Sequence, residues 1–189
     1  FGGQGCTSNF IQGVIQNFDT QIQGKYDGVD IDNECSMSDS DITTLVNKCH
    51  SAGLHSQLTV LANPTVLPSQ FFGKFPNLDL LVYMPYGAYM NGSGWELNIA
   101  SNGTVSGETF TKYLSKILTD TSSKQYLPKV IIAATPWWEA GTKDWTDDQI
   151  TGWGKWLLNM GLGGTFFWTP TGYNGRGLQQ YIRILRNIH

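Results

Sequence analysis

Four short apolar segments and one acidic one recur along the chain, and none alternates cleanly between apolar and polar residues. They are "KYDGVDIDNEC" (25–35), "HSQLTVLA" (55–62), "LDLLVYMPYG" (78–87), "KVIIAATPWW" (129–138) and "GGTFFWTP" (163–170). A strand without alternation is covered on both faces, which is the condition of a parallel sheet flanked by helices. Helix-patterned segments fall between them. Asn9 to Phe18 precedes the first strand with Phe10, Ile11, Val14, Ile15 and Phe18 at helical spacing. "SDSDITTLVNKCHSAG" opens on a Ser or Asp cap and stops at Gly53. A weak helix near Ser69 to Phe75, "GETFTKYLSKILT", "DDQITGWGKWLLNMG" and "GLQQYIRILRNI" complete five strand–helix repeats.

Length narrows the architecture. A (β/α)8 barrel typically takes about 250 residues, and this chain has 189. By counting alone, a single domain built on a doubly wound open sheet fits better. No GxGxxG or GxxxxGKS/T run follows a strand, so a nucleotide-binding version finds no support.

Composition excludes further classes. Only 14% of residues are charged while 13% are aromatic, with seven Trp and a net charge of −3. That is unlike a disordered or nucleic-acid-binding chain and suits aromatic surfaces on which sugar rings stack. No apolar run is long enough to span a membrane, and no signal peptide is visible. The opening "FGGQGC", without Met, points to a processed or truncated start. Cys6, Cys35 and Cys49 have no metal-ligand spacing, and the three His lie far apart, so no zinc site is expected. An odd thiol count leaves one free or paired elsewhere. Two N-x-S/T sequons, at Asn91 and Asn102, fall in one polar loop and favour a secreted protein.

The acidic strand carries the chemistry. Asp27, Asp30, Asp32 and Glu34 are interleaved with Gly28, Val29 and Ile31. A solvated acidic turn is the bland alternative, but Val29 and Ile31 are poor turn residues. On a strand, Asp30, Asp32 and Glu34 share one face, with neighbours roughly 6–7 Å apart along it. Like charges that close cannot all ionise cheaply in a shielded site, so at least one is expected to hold a proton near neutral pH. A proton shared along the three would leave the outermost, Glu34, poised as a general acid.

"DGVDIDNE" resembles the D-x-x-D-x-D-x-E signature of family 18 glycoside hydrolases, the chitinases and their relatives, and every signature position is filled. "FGG" at 1–3 is similar to the end of the S-x-G-G strand that precedes the acidic one. "YMPYG" resembles the later M-x-Y-D strand at Met84 and Tyr86, and "GTFFWTP" the final strand, whose Trp, here Trp168, floors the sugar subsite. These landmarks occur in order and span essentially the whole chain. They override the count. The resemblance implies an α/β fold, a (β/α)8 TIM barrel lacking its first two βα units and most of the third strand, with residues 1–189 forming one partial catalytic domain.

The resemblance also implies a mechanism without an enzyme nucleophile. The substrate's 2-acetamido oxygen would attack the anomeric carbon. Glu34 would act as general acid and then base, Asp32 would orient the acetamido group, Asp30 would share its proton, and Tyr86 would hydrogen-bond the acetamido group. Asp27 would tie down the strand end and belongs with Met84, Trp168 and Trp137 to the implied substrate-binding set, one of the paired Trp137 and Trp138 being a candidate platform. Gly87 departs from the family pattern, which has Asp or Asn there. No cofactor is implied, and the expected partner is an N-acetylglucosamine-containing saccharide, with no nucleic acid and no membrane. An N-terminal segment or second chain is expected to complete the barrel. The rivals are a non-hydrolytic chitinase-like lectin, which Glu34 argues against, and an endo-β-N-acetylglucosaminidase acting on N-glycans. A DxD metal site or a Ca²⁺ loop is a further rival, but Cys35 stands where an EF-type loop needs Gly.

Overall fold

The computed structural model describes residues 7–34, 37–62, 65–85, 98–107, 114–134, 145–167 and 178–188. Helix α1 (Ser8–Gln16) starts at Thr7, whose hydroxyl accepts from the Phe10 N–H at 3.2 Å. It stops earlier than its apolar spacing predicts. At its C-cap, Asn17 donates both its backbone N–H, at 3.1 Å, and its side-chain amide, at 2.8 Å, to the Gly13 carbonyl. The one-turn α2 (Phe18–Gln21) follows and buries Phe18.

Strand β1 (Gly28–Asp32) is the acidic segment. Helix α3 (Asp39–Ser51) begins at the expected cap, with the Ser38 hydroxyl accepting from the Asp41 N–H at 3.2 Å. Asp39 and Asp41 in its first turn and Lys48 and His50 in its last complement the helix dipole. Gly53, at φ 69°, makes the left-handed stop. Strand β2 (His55–Leu61), α4 (Pro68–Lys74) and β3 (Leu80–Met84) follow where the sequence placed them.

Two features were not expected. A small antiparallel hairpin of β4 (Asn98–Ile99) and β5 (Val105–Ser106) stands in the polar loop. After α5 (Ser115–Thr119), a 3-10 stretch at Thr121–Lys129 leads into β6 (Val130–Ala134). Helix α6 (Asp147–Asn159), β7 (Gly164–Phe167) and α7 (Leu178–Leu185) close the described chain.

The main sheet is parallel throughout, in the order β1-β2-β3-β6-β7. Each strand therefore lies beside the next large strand in sequence, with no reversal of order. A doubly wound sheet reverses at a switch point and carries helices on both faces. Among the described residues the helices cover one face. Val29, Ile31, Leu58, Val60, Leu81, Tyr83, Val130, Ile132 and Phe167 pack with Leu45, Phe72, Ile117, Trp153 and Tyr181 in one large core. The other face holds a second cluster of strand residues alone, with Val82, Met84 and Ala133 buried and Leu61 and Ile131 against them. This singly wound pattern is that of a barrel wall, and the open doubly wound sheet suggested by length is not what forms. The wall does not close among the described residues, because β1 and β7 are its unpaired edges. Five strands are fewer than the eight that the (β/α)8 architecture needs.

Candidate active site

The alternation of β1 decides which way its acids face. Val29 and Ile31 are buried beneath the helices, so Asp30 and Asp32 project from the opposite face. There Asp30 Oδ1 accepts from Thr59 Oγ1 at 2.7 Å and from Gln57 Nε2 at 3.0 Å. Both partners come from β2. Neither had a motif to mark it, and their only sequence signal is that Gln57 and Thr59 alternate with Leu58 and Val60.

Asp32 is level with Thr59 in the ladder, yet the Thr59 hydroxyl serves Asp30. Asp32 Oδ1 is buried and has no hydrogen-bond partner among the described residues. Burial, and then the neighbouring charges of Glu34 and Asp30, push the Asp32 carboxyl up from the usual 3.8 to about 6. A carboxylate with an orphaned oxygen beside two like charges favours its protonated form. Asp32, in the middle of the row, therefore keeps its proton to a higher pH than an ordinary carboxyl does.

Glu34 stands two residues past the end of β1 and is half-buried. Three bonds fix the chain's exit there. The Asn33 N–H donates to the Thr59 carbonyl at 2.9 Å, and the Glu34 N–H donates to the Asp32 carbonyl at 3.1 Å. Asn33 Oδ1 accepts from the Met37 N–H at 2.8 Å. All five strands run parallel, so this is the C-terminal edge of the sheet, where barrel enzymes place their chemistry.

Met84 lies at the same edge and on the same face, paired in register with Leu61 and clustered with Val82 and Ala133. Phe166 pairs with Ala133 and is 37% exposed, extending an apolar floor towards β7. Asp27 stands apart. It is exposed at the opposite end of β1, and it ties the strand down through its carbonyl, which accepts from the His55 N–H at 2.9 Å. Tyr86, Gly87, Trp137, Trp138, Trp168, the "FGG" landmark, Cys6 and Cys35 lie outside the described residues. Cys49 is a buried free thiol in the helical core.

Comparison with solved structures identifies the fold. The Group IV chitinase of Ostrinia furnacalis superposes with a TM-score of 0.59 at 12% identity, over 96% of this chain and 73% of its own. The active domain of a thermostable Pyrococcus furiosus chitinase, solved with chito-oligosaccharides, gives 0.54 at 11% identity, over 85% of this chain and 54% of its own. YKL-39, solved in the presence of chitooligosaccharides, gives 0.52 at 11% identity, over 95% and 74%. No family model and no curated protein matches the sequence. The fold is therefore that of chitinases and chitinase-like proteins, TIM-barrel proteins of which this chain spans between about half and three quarters.

Proposed function

We propose that the chain is a family 18 glycoside hydrolase that cleaves β-1,4-linked N-acetylglucosamine polymers with retention, assisted by the substrate's own acetamido group. The observation that carries this reading is Asp32: an orphaned, buried Oδ1 on a carboxyl raised to about 6, between Asp30 and Glu34 on a chitinase-like fold. Asp32 Oδ1 has no donor among the described residues, and an acetamido N–H is one. In that pose Glu34 gives its proton to the glycosidic oxygen as the acetamido carbonyl oxygen attacks the anomeric carbon and the bond to the leaving sugar breaks. The resulting oxazolinium carries a positive charge that Asp32 offsets. The Glu34 carboxylate then takes a proton from the water that opens the ring. Asp30, anchored by Thr59 and Gln57, is the far end of the relay. Met84 supplies apolar floor, while Tyr86, Trp168 and Trp137 take the acetamido and stacking roles that the motif resemblance implies. The protein acts outside the cell in this reading, and its open β1 edge pairs with further strands from a preceding segment or a second chain.

The test is product analysis on chitooligosaccharides. Freshly released sugars should be the β-anomer by NMR, and fully de-N-acetylated oligosaccharides should not be cleaved. Cleavage of the deacetylated series, or release of the α-anomer, would refute substrate assistance. A second reading is a glycan-binding protein without hydrolysis; YKL-39, solved in the presence of chitooligosaccharides, shares the fold. Saturable binding with no new reducing ends would select it.

A further inference from the structure

We infer that Asn102, at the turn of the β4–β5 hairpin, is an acceptor site for an N-linked oligosaccharide. Asn102-Gly103-Thr104 has the required N-x-T order. Both Asn102 and Thr104 are exposed. Asn102 Oδ1 accepts from the Thr104 N–H at 2.9 Å. That bond occupies the amide oxygen and leaves Nδ2, which makes no hydrogen bond among the described residues, on an exposed side chain.

The hairpin holds this geometry rigidly. The Ala100 N–H donates to the Thr104 carbonyl and the Gly103 N–H to the Ala100 carbonyl, both at 2.9 Å. Gly103 has φ 93° and sits where a Cβ would come within 3.0 Å of Lys155 Cβ, so the middle sequon position needs glycine. Ile99 and Val105 are buried, and Lys155 Nζ donates to the Ser101 carbonyl at 3.2 Å, docking the hairpin on α6. Helix α6 belongs to the layer that covers the face opposite Asp30 and Asp32. A glycan at Asn102 therefore projects from the helical side and leaves the acidic face open.

The step is a glycosyl transfer from a lipid-linked oligosaccharide pyrophosphate. A bond forms between Asn102 Nδ2 and the anomeric carbon, the bond from that carbon to the pyrophosphate oxygen breaks, and the lipid pyrophosphate leaves with the electron pair. Nδ2 loses one proton. Nothing is oxidised or reduced.

The second sequon, at Asn91, lies outside the described residues, so the readout must separate the two. The full chain, given a secretion signal, is translated in the presence of microsomes and digested with chymotrypsin. Cleavage after Trp95 and Leu97 isolates Asn102 from Asn91. The expected result is an oligosaccharide on the Asn102 peptide, released by an N-glycosidase with conversion of that asparagine to aspartate. It should be lost in Asn102→Gln and Thr104→Ala and kept in Thr104→Ser. An unmodified Asn102 peptide from translocated chain, or a modification that survives Thr104→Ala, would overturn the assignment.

Discussion

Thr59 is level with Asp32 in the β1–β2 ladder, yet its hydroxyl donates to Asp30 at 2.7 Å. That choice of partner divides the carboxylates. Asp30 receives donors from Thr59 and Gln57, whereas Asp32 Oδ1 has no partner among the described residues, and burial, then the charges of Glu34 and Asp30, push Asp32 up to about 6.

Thr59→Val keeps the shape of a side chain that is only 4% exposed while removing the donor. Loss of a hydrogen bond to a carboxylate should destabilise the fold by about 1 kcal/mol, less than a buried charged partner would give because Asp30 is exposed. Thr59→Ser should retain most of that. Urea unfolding of both variants, repeated in an Asp30→Ala background, reads the coupling. Equal effects with and without Asp30 would show that the bond contributes nothing.

The raised pKa of Asp32 makes a pH-dependent contribution whose sign is fixed. The folded chain binds this proton more tightly than the unfolded one, so the contribution is fully present below the usual 3.8 and is lost as pH rises through about 6. Asp32→Asn cannot ionise. Relative to the variant, the wild type should lose stability between about pH 4 and about pH 6 and run parallel above that, in unfolding curves taken across the range. The same substitution should lower turnover and move the pH optimum of what remains. A constant stability difference across that window would place the shared proton elsewhere.

Two glycines should respond in opposite directions to alanine. A Cβ at Gly152, inside α6, would be driven into the Ala100 carbonyl oxygen and would lie 3.0 Å from Ile99 Cγ2. The hairpin backbone must move, and overpacking of this kind costs about 1–3 kcal/mol, more than the helix propensity that alanine adds. At Gly13 in α1 a Cβ would meet nothing within 4 Å, so Gly13→Ala should gain about 0.5–1 kcal/mol. Thermal melts of the two variants check both.

Cys49 should be chemically silent in the native protein. Burial, and then the nearby Asp79 charge, push its thiol up to about 11, so little thiolate exists at neutral pH. Maleimide labelling followed by peptide mapping should find Cys49 modified only after denaturation. Rapid native labelling at that position would contradict its burial in the helical core.

Much of this was legible in the sequence because its causes are local. Unbroken apolar runs marked β3 and β6, Ser38 and Gly53 bounded α3, and the alternation of Val29 and Ile31 with Asp30 and Asp32 assigned the acids to one face. What escaped depends on register and competition. Helix α1 ends at Gln16, where Asn17 forms the C-cap, a break that apolar spacing does not record. The β4–β5 hairpin has strands of two residues each, too short for any periodicity. Gln57 and Thr59 become site residues only when β2 is set beside β1. For the same reason the sequence led to the expectation of a proton held on the row of acids but did not single out Asp32, whose raised pKa depends first on burial that only the folded sheet supplies.

The most direct measurement is turnover and binding of chitooligosaccharides by Glu34→Gln. The substitution preserves shape and removes the transferable proton, and general acid–base catalysis contributes typically about 10²–10⁴-fold. Turnover should fall by at least about a hundredfold while the affinity for chitooligosaccharides stays close to that of the wild type. A variant that kept more than about a tenth of wild-type turnover would contradict the role of Glu34 as the acid.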